Sequence, residues 1–338
     1  MKRARFLPIS ILLSFALVGV TEAGTLKTVR DRNNVVCGVS NNVRGFASVD
    51  DSGKWKGFDV DLCRAISAAV FGDANKITIV PLAPNERFGA LKSKKVDVLT
   101  SNATWTLSRE TDNQVAFTGV TYFDQQGFMA PRSKKIVSLR QLDGMKICIE
   151  SGTTNESNLI EYAQEHGIAF EPVKAAQFSA LIKDYEAGRC DVITSDHSQL
   201  YAQKLGLSKP EDHEIIKPVI SQEPIGPAVR QDDLQWFEIV KWVNFALLNA
   251  EALDLSQANI DSAKESQKQD VRRFVGLDGE LGKKLGLAPQ WAYNIVKLVG
   301  NYGETLERNL GEGSELGIKR SLNKLVKKGG IQYAPPMR

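Results

Sequence analysis

The chain has 338 residues, 42% of them hydrophobic and 25% charged, with 43 basic and 40 acidic side chains and four cysteines. This composition supplies a buried core and room for two domains, and it excludes a disordered chain. A net charge of +3 gives no general electrostatic case for nucleic acid or acidic membranes as partners.

In chain order, the first feature is the apolar run 9–20 behind Lys2, Arg3 and Arg5. Its length and flanks suit a secretory signal better than a membrane span. Cleavage is expected near Thr21-Glu22-Ala23, which makes residues 1–23 a signal peptide. Its removal takes away three bases and one acid, leaving 40 basic and 39 acidic residues and a net charge of +1. No cysteine follows the run, so the product is expected to be exported, soluble and without a lipid anchor.

Short strands and helices then alternate, the pattern of α/β layers. Strands are predicted at 35–39, 77–81 and 96–100. A helix carries Leu62, Ile66, Ala69 and Val70 on one side, with Asp59 as its predicted N-cap, and a second helix covers 87–93. The rhythm restarts with strands at 145–150, 169–173 and 191–195 and helices at 156–164 and 178–187. Two units of similar order predict two similar lobes. Beyond 224–230 the chain reads as mainly helical, over 234–248, 256–273, 289–302 and 318–327.

The cysteines stand at 37, 63, 148 and 190, with no CxxC spacing of the kind zinc or a thioredoxin-like site uses. In an exported chain they read as two disulfides, Cys37 with Cys63 and Cys148 with Cys190, each worth a few kcal/mol in the loop-closure model, although three connectivities are formally open.

Six short motifs stand in a fixed order: Gly57-Phe58-Asp59-Val60-Asp61-Leu62, Val96-Asp97-Val98, Thr104-Trp105-Thr106-Leu107-Ser108-Arg109, Leu142-Asp143-Gly144, Gly152-Thr153-Thr154 and Gly188-Arg189-Cys190-Asp191. In order and approximate spacing they resemble the periplasmic amino-acid-binding proteins of ABC importers, over about 35–241. The tail, with Val299-Gly300-Asn301-Tyr302-Gly303-Glu304 and Gly329-Gly330-Ile331-Gln332-Tyr333-Ala334-Pro335-Pro336, resembles the general L-amino-acid-binding branch. The resemblance implies a two-lobed α/β fold of the type II periplasmic-binding-protein kind, with two hinge crossings, an extra C-terminal helical segment and ligand trapped on closure. The crossings are expected near 127–131 and 225–230. Lobe 1 would then span 24–128, lobe 2 132–225, and 229–338 would return to lobe 1 and form the helical extension.

A free amino acid presents a carboxylate and an ammonium on one carbon, so a dry cleft must supply donors for one and an anion for the other. Arg109 offers a planar bidentate fork and matches the family's carboxylate-binding arginine; alone it would read as a surface arginine at a helix start. Gly152-Thr153-Thr154-Asn155 is a strand-to-helix turn whose N–H groups and hydroxyls of Thr153 and Thr154 suit the same carboxylate, and which alone would read as a helix cap. Asp196 matches the family's ammonium-binding aspartate, with Asn102 and Thr104 completing its shell.

For the ligand side chain, the loop 40–46 is expected to form a wall, with Phe46 facing the ligand or else in the core. Val43 stands where many members carry a stacking aromatic, and Arg44 lies beside it. Arg87 aligns with an arginine of acidic-ligand binders and is expected to reach a side-chain carboxylate, unless it is an exposed helix-start residue. Trp105 is expected to pack at the cleft rim. The pocket is expected to be broad and polar, favouring glutamate, aspartate, glutamine or asparagine.

Enzymatic signatures are weak. His166, His197 and His213 lack metal-ligand spacing, 276–284 lacks phosphate-loop spacing, and Gly-x-Ser-x-Gly is absent. An exported dehydratase on this fold would need an acid–base residue in the cleft, for which Asp196-His197 and Glu150 are the nearest suggestions. A ligand-sensing module is the third reading. The expectation is therefore a non-enzymatic monomeric receptor in the periplasm, without cofactor, metal or nucleic acid, that binds an L-amino acid and meets a membrane-embedded ABC permease. Lys319, Arg320, Lys324, Lys327 and Lys328 are read as a solvated basic face of the last helix.

Overall fold

The structure, a computed structural model, describes residues 24–338; the expected signal peptide lies outside them. Strands are β1 (Val35–Ser40), β2 (Ser48–Val49), β3 (Trp55–Lys56), β4 (Ile77–Leu82), β5 (Val98–Leu99), β6 (Val115–Phe117), β7 (Tyr122–Pro131), β8 (Lys146–Glu150), β9 (Glu171–Ala175), β10 (Val192–Asp196), β11 (His213–Ile225) and β12 (Ala228–Arg230). Helices are α1 (Thr25–Arg32), α2 (Phe58–Phe71), α3 (Arg87–Lys92), α4 (Leu107–Asn113), α5 (Thr154–His166), α6 (Phe178–Glu186), α7 (His197–Lys204), α8 (Leu234–Ala252), α9 (Gln269–Phe274), α10 (Leu281–Lys284), α11 (Trp291–Leu298) and α12 (Tyr302–Asn309).

Two five-stranded sheets form, in the orders β4-β1-β5-β12-β6 and β11-β7-β10-β8-β9. Each is parallel on one side and antiparallel on the other: β1 pairs in parallel with β4 and β5 in the first, and β8 with β9 and β10 in the second. The carboxyl ends of parallel strands are where backbone pairing stops and polar side chains gather, which makes them the usual ligand edge of such sheets. Here those ends carry Ser40, Leu82, Glu150 and Asp196, with Asn102 just beyond β5, and all five border one cavity between the sheets.

The first lobe has the larger core. Trp236, Tyr302, Phe46, Phe58, Phe274 and Trp291 lie in one buried cluster that draws on α2, α8, α9, α11 and α12. The second lobe packs Phe128, Ile147 and Leu142 in one cluster and Met129, Leu181 and Ile193 in another. Cys37 is bonded to Cys63 and Cys148 to Cys190, tying β1 to α2 and β8 to the residues preceding β10.

The chain passes between lobes along the antiparallel ladder of β7 and β11. Tyr122 and Ile225 are buried in the first core, Phe128 and Ile216 in the second. Both passages lie upstream of the expected 127–131 and 225–230, because β7 and β11 are long continuous strands rather than short connectors. Where they leave the first sheet, Gly226 sits so close to the Gly119 carbonyl that a Cβ would approach it to 2.0 Å. Only glycine allows that approach.

The C-terminal region departs most from expectation. Residues 256–261 are turns, followed by a 3-10 turn Ser262–Glu265 and the short α9, because the Ser, Asn, Asp and Gln of this stretch bond locally: Asn259 accepts from the Ser256 N–H and donates to the Asp254 carbonyl. The helix expected over 289–302 breaks at Gly300, whose φ is 102°, and Asn301 and Glu304 form a capping box that opens α12. Residues 318–327 are not a helix but two 3-10 turns, Ser321–Asn323 and Val326–Lys328. The expected basic face is replaced by ion pairs of Arg320 and Lys328 with buried Glu251. This strap grips the start of β7: the Asn323 amide accepts from the Phe123 N–H at 2.7 Å and donates to the Phe123 carbonyl at 3.0 Å. Tyr302 and Gln332 both donate to the Thr121 carbonyl.

Candidate functional site

From the first lobe, the loop after β5 and the starts of α3 and α4 supply the donors. Asn102 has a positive φ of 47°, a conformation asparagine tolerates. Asp59 holds it there, accepting from the Asn102 N–H at 3.0 Å. Asp59 is therefore not the cap of α2, which Gly57 begins, but a buried brace in its first turn. Burial lifts its carboxyl to about 8.

Thr106 caps α4 and accepts from the Arg109 N–H. Arg109 Nη1 donates to the Thr104 carbonyl at 2.7 Å, and the guanidinium lies 5.6 Å from the Phe88 ring centre. Among the described residues its Nε and Nη2 have no partner, and they are not sealed from the cavity, so one edge of the fork is free for a ligand. Arg87 is buried at 6% exposure, not an exposed helix-start residue, with Nε on the Pro84 carbonyl and Nη1 on the Ser101 carbonyl. Burial, and next the charge of Arg109, lower its pKa to about 9, which still leaves it charged at neutral pH.

From the second lobe, β10 ends in Asp196, which accepts from Asn155 Nδ2 at 2.8 Å and, across the cleft, from Asn102 Nδ2 at 3.4 Å. Burial, then the charges of Asp124 and Glu223, push its carboxyl well above the usual range. A cation delivered into the cleft favours its ionised form. Thr153 caps α5, accepting from the Glu156 N–H and donating to the Glu150 carbonyl. The Gly152 N–H is occupied by the Glu156 carboxylate at 3.0 Å. What the turn still offers are first-turn N–H groups of α5, which have no intrahelical acceptor.

The lobes touch through hydroxyls. Thr104 Oγ1 lies 3.2 Å from Thr154 Oγ1, and both donate to Glu223 Oε2, at 2.5 and 2.9 Å. Asn158 and Ser221 complete the shell of Glu223. This is a closed arrangement, since groups of both lobes meet directly.

Arg109, Thr104, Asn102, Thr153, Thr154, Asp196 and Arg87 thus border one cleft of about 690 Å³, mouth included. Phe46 does not: it is fully buried, edge-on to Phe58 and Tyr122, because the loop around it folds back onto α2. Arg44 lies on another surface, 3.8 Å from Glu315. Trp105 stacks on Phe117 outside the cavity lining. His197 packs against Gly127 and faces a different cleft, which removes it as an acid–base partner of Asp196. Glu223 and Asn155 carry roles that sequence reasoning missed. Asn155 adjoins the Gly-Thr-Thr turn and was within reach of that motif, whereas Glu223 depends on the pairing of two distant strands.

Residues 35–252 match the family model for bacterial extracellular solute-binding proteins, family 3. The chain is 48% identical over 318 residues to the general L-amino acid-binding periplasmic protein AapJ of Rhizobium johnstonii, covering 94% of this chain and 93% of that protein. It is 40% identical over 339 residues to the glutamate/glutamine/aspartate/asparagine-binding protein BztA of Rhodobacter capsulatus, covering 100% of both. Its fold matches an ABC transporter/periplasmic binding protein from Brucella ovis, solved with glutathione bound, at a TM-score of 0.92 and 44% identity, covering 94% of this chain and 100% of that one.

Proposed function

The chain belongs to the bacterial extracellular solute-binding proteins of family 3, and on that premise we propose that it captures a free L-amino acid between its lobes and delivers it, closed, to the permease of an ABC importer. Residues 1–23 direct export to the periplasm, and the mature receptor works as a monomer. Its role is binding without chemistry, as in its relatives.

One observation carries this reading. The open edge of the Arg109 guanidinium and the buried carboxyl of Asp196 come from opposite lobes and border the same cavity. Arg109 takes the ligand carboxylate, with the first-turn N–H groups of α5 facing it. Asp196, held by Asn155 and Asn102, takes the ammonium. Only the closed form brings both together, so ligand favours closure by the difference in its contacts with the two states. Arg87, buried in the same cavity, supports a polar or acidic ligand side chain. The names of AapJ and BztA support a broad range that includes glutamate, glutamine, aspartate and asparagine.

A thermal-shift screen of the mature chain against the twenty L-amino acids and their D-enantiomers tests the reading. Ligand at a hundredfold excess over Kd stabilises by about 2.7 kcal/mol. A screen in which no amino acid raises the melting temperature rejects it.

A further inference from the structure

Two polar atoms of opposite charge border the cavity with no partner among the described residues. Arg87, from the first lobe, spends Nε and Nη1 on backbone carbonyls, and Nη2 has no acceptor among them. Glu150, at the end of β8 in the second lobe, accepts from the Phe178 N–H through Oε1 at 2.9 Å, and its Oε2 has no donor among them. Neither atom is sealed from the cavity, and no ion pair forms between the two residues. A donor and an acceptor that border one cavity, near enough to act on each other's charge, complement a group having both a carbonyl oxygen and an N–H.

We propose that Arg87 and Glu150 together read a carboxamide on the ligand side chain, Arg87 Nη2 donating to the amide oxygen and Glu150 Oε2 accepting from the amide N–H. The proposal rests on the amino-acid reading above and deepens it. A side-chain carboxylate in the same place keeps the contact with Arg87 but sets a second anion against Glu150, unless Glu150 carries a proton and donates it. Glutamine is therefore favoured over glutamate when Glu150 is ionised, and the preference narrows as Glu150 is protonated.

The surroundings suit such a titration. Burial lifts the Glu150 carboxyl to about 7, while Arg87 and the Phe178 N–H pull it down. Of the other charged groups near it, Glu156 on α5 is paired with Lys174 on β9 at 2.8 Å. Arg109, Asp59 and Asp196 act on Arg87. Two sources present this chemistry, free glutamine or asparagine and a γ-glutamyl amide, which also begins with a zwitterionic head.

Calorimetric titration of the mature protein with L-glutamine, L-glutamate and γ-glutamylethylamide, at about pH 8 and about pH 5.5, tests the inference. Glutamine is expected to bind about tenfold tighter than glutamate at the higher pH, the worth of one charge-assisted hydrogen bond, and less than threefold tighter at the lower. In Glu150→Gln the side-chain NH2 donates to a ligand carboxylate but meets the ligand carboxamide N–H donor to donor, so the preference for glutamine and its pH dependence both disappear. Binding of γ-glutamylethylamide close to that of glutamine identifies γ-glutamyl compounds as ligands; its rejection restricts the reader to free amino acids. Glutamate equal to or tighter than glutamine at about pH 8 overturns the inference, as does a wild-type preference retained in Glu150→Gln. The wild-type pH profile decides even if that variant misfolds. Failure of every amino acid to bind the wild type instead overturns the receptor reading.

Discussion

The two jaws of the cleft differ in charge and in support. The first brings Arg87 and Arg109, each fixed by backbone carbonyls, on a lobe whose large core includes the C-terminal helices. The second brings Asp196 and Glu150, set on strand ends of a lobe with two smaller clusters. A zwitterion has its charges only a few ångströms apart, so splitting the complementary charges between jaws makes full recognition a property of the closed state alone. On the proposed function, the braced lobe holds buried cations without moving, while the other lobe supplies the acids that meet the ligand.

The largest expected effect tests that division directly. Arg109→Ala removes two charge-assisted hydrogen bonds to the ligand carboxylate and is expected to weaken every amino acid by about 3 to 6 kcal/mol, a hundredfold or more, in calorimetric titration. An effect confined to some side chains would detach Arg109 from the shared head group.

Next is the difference in support. Replacing Cys148 and Cys190 with alanine opens a loop of sequence separation 42 in the lobe with the smaller core. Loop-closure entropy puts the loss at about 4 kcal/mol. Denaturant unfolding is expected to show the second lobe melting before the first, whereas the equivalent change at Cys37 and Cys63 leaves the order undisturbed.

Asp196→Asn is expected to cost about 1.5 to 3 kcal/mol of affinity, the worth of one contact to a charged group. It also removes a linked event. Burial raises the Asp196 carboxyl well above its usual range and an arriving ammonium favours its ionised form, so binding is expected to be linked to proton release. Titrations of the wild type in buffers of different ionisation enthalpy should reveal that release, and those of Asp196→Asn should not.

Asn323→Ala breaks both bonds of the strap to Phe123 and is expected to destabilise the chain by about 1 to 2 kcal/mol. If the strap braces only the first lobe, affinity changes little; a matching loss of affinity would mean that it also tunes closure.

The smallest effect is in pH. Asp59 and Glu150 have carboxyls raised to about 8 and about 7. The folded chain therefore binds more protons than the unfolded one, and stability is lost as pH rises through those values. The melting temperature of the ligand-free protein is expected to fall from about pH 7 to about pH 8.5 and that of the ligand-bound protein to fall less. A rise over this range would contradict a raised Asp59 brace and a raised Glu150 in the ligand-free protein.

Local pattern alone carried much of this molecule. The alternation of 2-residue and 3.6-residue hydrophobic periods marks six of the twelve strands among the described residues (β1, β4, β5, β8, β9 and β10) and the helices α3, α5 and α6 to within two residues, and it passes over the long strands β7 and β11 that join the lobes. The cysteines in β1, α2 and β8 and before β10 pair as expected; α2 packs on β1 in one core, and β8 lies beside β10 in the second sheet. That Arg109, Asp196 and the Gly-Thr-Thr turn border one cleft was legible through the family resemblance of the motifs that carry them, since strand ends and helix starts alone would read as caps and surface residues. Tertiary structure alone decided the rest. Phe46 left the cleft for an aromatic cluster assembled from distant segments, and the residues around Asn323 became a strap because a backbone partner at Phe123, 200 residues away, replaced helical hydrogen bonds. Glu223 entered the site through the β7–β11 ladder. Periodicity reports which face of an element is apolar, but which polar atoms from remote segments meet depends on how the elements pack, and burial and charge are set by that packing.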